Sequence, residues 1–275
     1  MRFSVRHETI YRYSAAVGLG GHLLRLTPRP EGVAMRWQRI DVDPRPATQT
    51  QTRDAFGNVV THLTFDRPTD LFRIESRFEL ETIAATAPFA ADAPALPWTP
   101  AGDATTARYA VDHEIDEEVR AFAFALAAES GWRAEAFLER LTQTLFTRTD
   151  RHIRPDGHAQ SAAYTLAVGR GACRDVTVLF MAAARALGIP ARFVSGYQAR
   201  AETPDGRRHL HAWPEVFAPG SGWRGYDPTH GVAVGDGHVA LSAAPDQIGA
   251  MPIEGGFFGD GVTSTLDYRV EIEAV

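Results

Sequence analysis

The chain has a single cysteine in 275 residues, Cys173. That excludes an intrachain disulfide and any cysteine-rich metal site. Positive charge is also in short supply: 28 Lys plus Arg against 34 Asp plus Glu leave a formal net charge of −6. Nucleic-acid binders usually carry a basic face, so nothing electrostatic argues for nucleic acid as a partner. No apolar run is long enough to span a bilayer, and no membrane partner is expected. The start Met1-Arg2-Phe3-Ser4-Val5-Arg6 lacks the apolar core of a signal peptide. Together with the lone cysteine, this sets the expectation of a reducing cytoplasm. Neither an Asp-rich calcium loop nor a His-Glu-x-x-His helix is present. No metal and no cofactor are expected.

What is present reads as an ordinary globular chain with one or two domains. Phe3, Val5, His7, Thr9, Tyr11 and Tyr13 alternate with Arg2, Ser4, Arg6, Glu8 and Arg12, the period of a half-buried strand. Gln38–Val42, Val59–Phe65 and Phe72–Leu80 repeat the pattern, and Asp54–Asn58 carries a turn signal. An Ala-, Pro- and Thr-rich stretch follows, with Trp98 in it. The expected organisation is an antiparallel β domain over residues 1–85, a linker over 86–110 and a core over 111–275. His7, His22 and His62 lie scattered in the β domain and read as structural or surface residues.

Two helices are expected next, one after Asp116-Glu117-Glu118 and ending at Gly131, the other from Arg133 to Leu145. Pro155-Asp156-Gly157 reads as a turn, and a short helix is expected near Ser161–Ala167. Gly169-Arg170-Gly171-Ala172-Cys173 then opens an almost wholly apolar helix that ends at Gly188 and Pro190. Strands are expected at Ala191–Gln198, His209–Phe217, Trp223–Asp227 and Leu266–Ile272. Pro204-Asp205-Gly206 and Pro219–Gly222 read as hairpin turns.

Cys173 therefore falls at a helix N-terminus, where unpaired N–H groups and the dipole favour a negative sulfur. A thiol nucleophile needs a base, and the base needs an orienting group. If the turn at Pro219–Gly222 is tight, His211 and Asp227 come roughly across from each other, and opposed side chains stand about 4.5–5.5 Å apart at Cβ. The expected set is Cys173 as nucleophile, His211 as general acid/base and Asp227 as orienting carboxylate. The Cys173 N–H would hold the oxyanion, with Gln160 and Tyr164 as weak candidates for a second donor. Asp175, in the first helical turn, is explained by the dipole alone. Trp213 and Trp223 read as packing residues. His209, His211, His230 and His238 raise a zinc reading, but His211 is better explained as a base.

The blocks Gly171–Asp175, Ala186–Tyr197, His211-Ala212-Trp213-Pro214-Glu215-Val216 and Gly222–Thr229 resemble the bacterial transglutaminase-like proteins, a family also labelled as cysteine proteases. The resemblance is close over about residues 160 to 230, and the β segment resembles the N-terminal domain those proteins carry. It implies an α+β fold: an N-terminal antiparallel β domain, then a papain-like core with the cysteine helix packed on an antiparallel sheet. It also implies Cys173, His211 and Asp227 as the triad. The family has Gln or Arg at position 174, and Arg is found here. Pro214 departs from the pattern and predicts a bulge or an edge there.

The expected function is cleavage of a peptide or amide through a thioester on Cys173, with hydrolysis favoured. Acyl transfer to an amine is the alternative, and an acyl-CoA-dependent transferase would want a basic patch that is not evident. A non-catalytic peptide-binding protein and a purely structural module are the readings from other classes.

Overall fold

The computed structural model describes residues 1–83, 89, 93–99, 104–110, 115–154, 157–201 and 206–275. Much of the expected linker, Pro155 and Asp156 of one turn and Glu202–Asp205 of another lie outside the described residues. The first half of the chain is β: β1 (Arg2–Leu19), β2 (His22–Leu24), β3 (Val33–Asp43), β4 (Thr48–Arg53), β5 (Val59–Thr64) and β6 (Thr69–Thr82). Phe3, Val5, His7 and Thr9 of β1 are buried, as alternation requires. The β4–β5 turn forms because the Asp54 carboxylate accepts from the N–H groups of Phe56 and Asn58, while Gly57 takes φ +81°.

A short helix, α1 (Ala104–Ala107), lies within the expected linker, and α2 (Glu117–Glu129) and α3 (Ala134–Arg148) follow it, then β7 (Asp150–Arg151), α4 (Ala162–Val168), β8 (Arg170–Gly171) and α5 (Cys173–Ala186). The strands β9 (Ala191–Gln198), β10 (His211–Ala218), β11 (Gly222–Asp227), β12 (Val232–Ala233) and β13 (His238–Ala244) form one antiparallel sheet in the order β12-β11-β10-β9-β13. Val176, Leu179, Phe180 and Met181 of α5 are buried with the apolar faces of α2 and α3 and this sheet. Each such side chain contributes roughly 1.5–3 kcal/mol. Gly188 ends the helix region at φ +75°, and a Cβ there would stand 1.9 Å from the Trp98 carbonyl oxygen. The linker is thus strapped across that end, with Trp98 N–H donating to Leu187 O at 2.8 Å.

The chain then returns to its beginning. β14 (Ile253–Glu254) pairs with β2, β15 (Phe257–Phe258) with the end of β1, and β16 (Ser264–Ala274) with β1 from Phe3 to Tyr13. Residues 253–274, assigned to the core from sequence, build sheets with the N-terminal strands instead. β16 alternates, with Leu266, Tyr268, Val270 and Ile272 against Asp267, Arg269, Glu271 and Glu273, which marks a strand, but the pairing spans more than 250 residues of chain and no local signal names the partner. The β domain's core also takes in Tyr197, Val239 and Leu241 from β9 and β13, so the two parts share one apolar contact surface. Among the described residues no helix is long and apolar enough to cross a membrane.

His7 is buried in that contact surface, its Nδ1 2.7 Å from the Tyr197 hydroxyl and its Nε2 3.3 Å from Thr9 Oγ1. Burial pushes it down to about 4. Between pH 6.5 and 4 the unfolded chain takes up a proton that the native state refuses. This contribution to stability is therefore complete above pH 6.5 and declines as pH falls, by up to roughly 3 kcal/mol at and below pH 4. In His7→Gln that part of the acid dependence is expected to vanish. Urea unfolding at several pH values checks it: the wild-type and variant stabilities should converge on acidification, and parallel curves would refute the assignment.

Candidate functional site

Cys173 is the first residue of α5, and the turn before it is fixed by Asp175 rather than by the thiol. The Asp175 carboxylate is fully buried and accepts from Ala172 N–H at 2.7 Å, Gln160 N–H at 2.8 Å and the Arg154 guanidinium at 2.6 Å. A carboxylate in the first turn complements the helix dipole and ties the preceding loop to it. Gly171 is required by the same packing, because a Cβ there would meet Asp175 Cβ at 2.9 Å. Sequence reading favoured a dipole role for Asp175 over a direct functional one; its contacts make it the organiser of the cysteine turn.

Cys173 is half-buried and opens onto a cleft of about 400 Å³. His211 lines the same cleft, as do Phe193 and Ser195 of β9, His209, and Tyr11, Leu266 and Tyr268 from the β domain. Gln160 and Tyr164, the candidate oxyanion donors, are not among the lining residues. The returning strand β16 thus gives the β domain a wall of the cleft.

His211 and Asp227 meet, but not as neighbours across a ladder. β10 pairs with β11 only over Glu215–Ala218, and that register extended would set Asp227 against Trp213. The reason is Pro214. Phe217 N–H donates to Pro190 O, so odd-numbered residues of β10 direct their N–H toward β9 and even-numbered ones toward β11. Proline has no N–H to give toward β11, and the β10–β11 pairing stops short of it, while on its other edge β11 pairs with β12 through Tyr226 and Asp227. The expected edge at Pro214 is present, on the β11 side. In the space it opens, His211 Nε2 lies 2.9 Å from Asp227 Oδ2.

Two more histidines converge on that oxygen. His230 Nδ1 lies 2.8 Å from Asp227 Oδ2 and His238 Nε2 lies 3.0 Å from it. The other oxygen, Oδ1, accepts from the N–H groups of Thr229 at 3.0 Å and His230 at 3.2 Å. Asp227 is fully buried. Burial alone would raise its carboxyl, but the charge of His211 and the hydrogen bonds of His211, His230 and His238 outweigh it and hold the carboxyl far below the usual range. His238 is itself pushed down, by burial first, against the opposing pull of Asp227. Sequence reading weighed His230 and His238 only as metal ligands. His211, Asp227 and His230 do bring ligand atoms within 4.8 Å of one another. Their nitrogens, however, are aimed at one carboxylate oxygen at hydrogen-bond distance, not arranged around a shared centre. His209 turns elsewhere, its Nδ1 2.9 Å from the Tyr268 hydroxyl. Trp213 packs between His211 and His238, and Trp223 packs on Tyr109, Phe217 and Arg192, as expected of core residues.

Gly196 faces His211 in the β9–β10 ladder. A Cβ there would stand 2.2 Å from Val239 O and 2.6 Å from the buried Trp213 ring. Neither neighbour can yield cheaply. Gly196→Ala is expected to cost about 2–4 kcal/mol in urea unfolding and to displace the His211 strand. A loss under about 0.5 kcal/mol would show that the ladder has slack.

Residues 3–81 match the bacterial transglutaminase-like N-terminal region, and residues 122–228 match the transglutaminase-like superfamily. An "Uncharacterized protein" of Mycobacterium tuberculosis is 28% identical over 301 residues, covering 98% of this chain and 92% of that protein. A protein-glutamine gamma-glutamyltransferase of Pseudomonas aeruginosa is 47% identical over 55 residues, which is 18% of this chain and 8% of that protein. A solved structure of a "Putative Cysteine Protease" from Cytophaga hutchinsonii superposes with TM-score 0.74 at 19% identity, over 99% of this chain and 90% of that one. The fold is α+β, with a β domain ahead of a transglutaminase-like core.

Proposed function

We propose that this bacterial transglutaminase-like chain, an N-terminal region of that type joined to a transglutaminase-like core, cleaves peptide or amide bonds through a thioester on Cys173. The observation that carries the reading is the shared cleft: a thiol at a helix N-terminus and an imidazole held by a buried ionised carboxylate face the same space. His211 gives Nε2 to Asp227, so proton exchange with the sulfur falls to Nδ1. The thiolate attacks the carbonyl carbon, and the oxyanion draws on the helix N-terminal N–H groups. His211 then protonates the leaving amine, leaving an acyl thioester. Water completes hydrolysis, and His211 takes its proton.

Water is the favoured acceptor because Cys173 is only half-buried in an open cleft, so an amine has to compete with solvent. The local identity to a protein-glutamine gamma-glutamyltransferase favours amine transfer as a second reading. All 28 basic residues counted as Lys plus Arg are arginine. The chain therefore offers no lysine of its own, and any isopeptide formed reports the acceptor supplied. Casein is the test substrate, with monodansylcadaverine as the amine. New amino termini mean hydrolysis, and dansyl incorporation means transfer; either must be absent in Cys173→Ala. Either product persisting in that variant would overturn the reading.

A further inference from the structure

His211 shares the Asp227 carboxylate with two other histidines, all three at one oxygen. An ionised carboxylate can only accept hydrogen bonds. Each of the three ring nitrogens around Oδ2 must therefore carry a proton. This fixes His211 as the Nε2–H tautomer, His230 as Nδ1–H and His238 as Nε2–H when neutral. The assignment for His238 agrees with its other side, where Nδ1 lies 3.5 Å from the Gly235 N–H and must accept. With Thr229 and His230 N–H on Oδ1, the carboxylate is gripped by five donors from β10, the turn after β11, and β13.

We propose that His230 and His238 are positioning residues for the Cys173–His211 pair: they immobilise Asp227, lock His211 with its lone pair on Nδ1, and by drawing on the same carboxylate oxygen limit how strongly it holds the His211 proton. The inference rests on the reading of Cys173 and His211 as nucleophile and base. Its physical basis is competition. A carboxylate that serves three N–H groups at one oxygen interacts less strongly with each than one that serves a single group. Removing a competitor strengthens the hold on the His211 imidazolium, so the ring keeps its proton to higher pH. Other charged or titratable groups line the same cleft: His7 and Tyr11 of β1, Cys173 and Arg174 of α5, Arg154 and His158 before α4, and His209 and Tyr268. They are unchanged in the His230 and His238 variants.

His238→Leu removes one donor while keeping an apolar filling beside Trp213. His238→Gln keeps an N–H near the Nε2 position. His230→Leu and His230→Asn form the matching pair, since the asparagine amide reaches the place of Nδ1. The readout is 15N-histidine NMR against pH, which reports ring tautomers and the loss of the His211 proton without any substrate. Wild type should show the three tautomers named above. In His238→Leu, and independently in His230→Leu, the His211 titration should move up by about 0.5–1 pH unit, and the Gln and Asn variants should return it toward wild type. A residue that only supports the fold would change unfolding stability and leave that titration in place. If His238→Leu does not fold, as judged by circular dichroism, the more peripheral His230 pair decides alone. Cys173→Ala separates the two readings, because loss of a neighbouring thiolate should move the His211 titration down. An unmoved titration in the leucine variants, with a moved one in Cys173→Ala, overturns the positioning role alone. An unmoved titration in Cys173→Ala removes the nucleophile–base pair itself. His211 found as the Nδ1–H tautomer overturns the proposal outright.

Discussion

Replacing Cys173 with alanine is expected to remove at least about 10⁴ of the rate while leaving the fold intact. The thiol forms the covalent bond, so no other group in the cleft substitutes for it. The fold should survive because the turn is held by Asp175 and its three partners, not by the sulfur. Alanine is also the best helix former, so α5 loses nothing at its first position. Circular dichroism and thermal unfolding of the variant should match wild type within a few degrees. In the wild type, iodoacetamide should alkylate Cys173 at neutral pH about 10-fold or more faster than in His211→Ala, since the imidazole generates the thiolate. Equal alkylation rates in the two proteins would mean that Cys173 acts without His211. A Cys173→Ala protein that fails to fold would return the residue to a packing role.

The parts of this site that local sequence rules govern were readable. Gly171, the acid at position 175 and the apolar run to Leu187 mark a helix start by rules that act within one or two turns. Gly188 and Pro190 mark its end in the same way. Pro214 announced a break in pairing, and the β10–β11 ladder stops one residue short of it. The parts that failed depend on partners distant in the chain. β16 shows its strand character by alternating Leu266, Tyr268, Val270 and Ile272 with Asp267, Arg269, Glu271 and Glu273, but alternation does not name β1, more than 250 residues away, as partner. β13 is rich in alanine and serine, which have little strand preference, and its flanking glycines at 235 and 237 read as loop. That hid His238, whose place beside β9 brings it to Asp227. His230 was hidden differently: it follows the strand end by three residues, and only the turn after Asp227 folds its ring back. The part of the cleft wall from Leu266 and Tyr268 has the same origin as the β16 pairing. The β domain reads from sequence as a separate unit, whereas β1, through His7, Thr9 and Tyr11, and the returning strand β16 both line the cleft.

Asp227→Asn is expected to lower the rate by about 10³–10⁴-fold and to cost roughly 2–4 kcal/mol of stability. The substitution is nearly isosteric, so the effect comes from donors and charge, not shape. If the amide oxygen replaces Oδ2, it can receive the three histidine N–H groups, but the NH₂ then faces the backbone N–H of Thr229 and His230. If the amide flips, the NH₂ faces three ring nitrogens, each of which must give up its proton to accept. For His211 that change moves the proton to Nδ1, where the base is needed, and leaves it in the wrong tautomer. For His238 it sets an Nδ1–H against the Gly235 N–H. Neither orientation satisfies the site, and both lose the charge that stabilises the imidazolium. The acid side of the stability curve should change as well. The native carboxyl is held far below its unfolded range near 3.9, so its contribution is complete above that value and falls away as pH drops through the acid range. In the asparagine variant this dependence should disappear. Urea unfolding between pH 7 and 3, combined with turnover at neutral pH, tests both halves together. Retention of wild-type turnover would exclude Asp227 from the mechanism. Loss of turnover with unchanged stability would mean that the five donors find other partners and that the carboxylate acts through its charge alone.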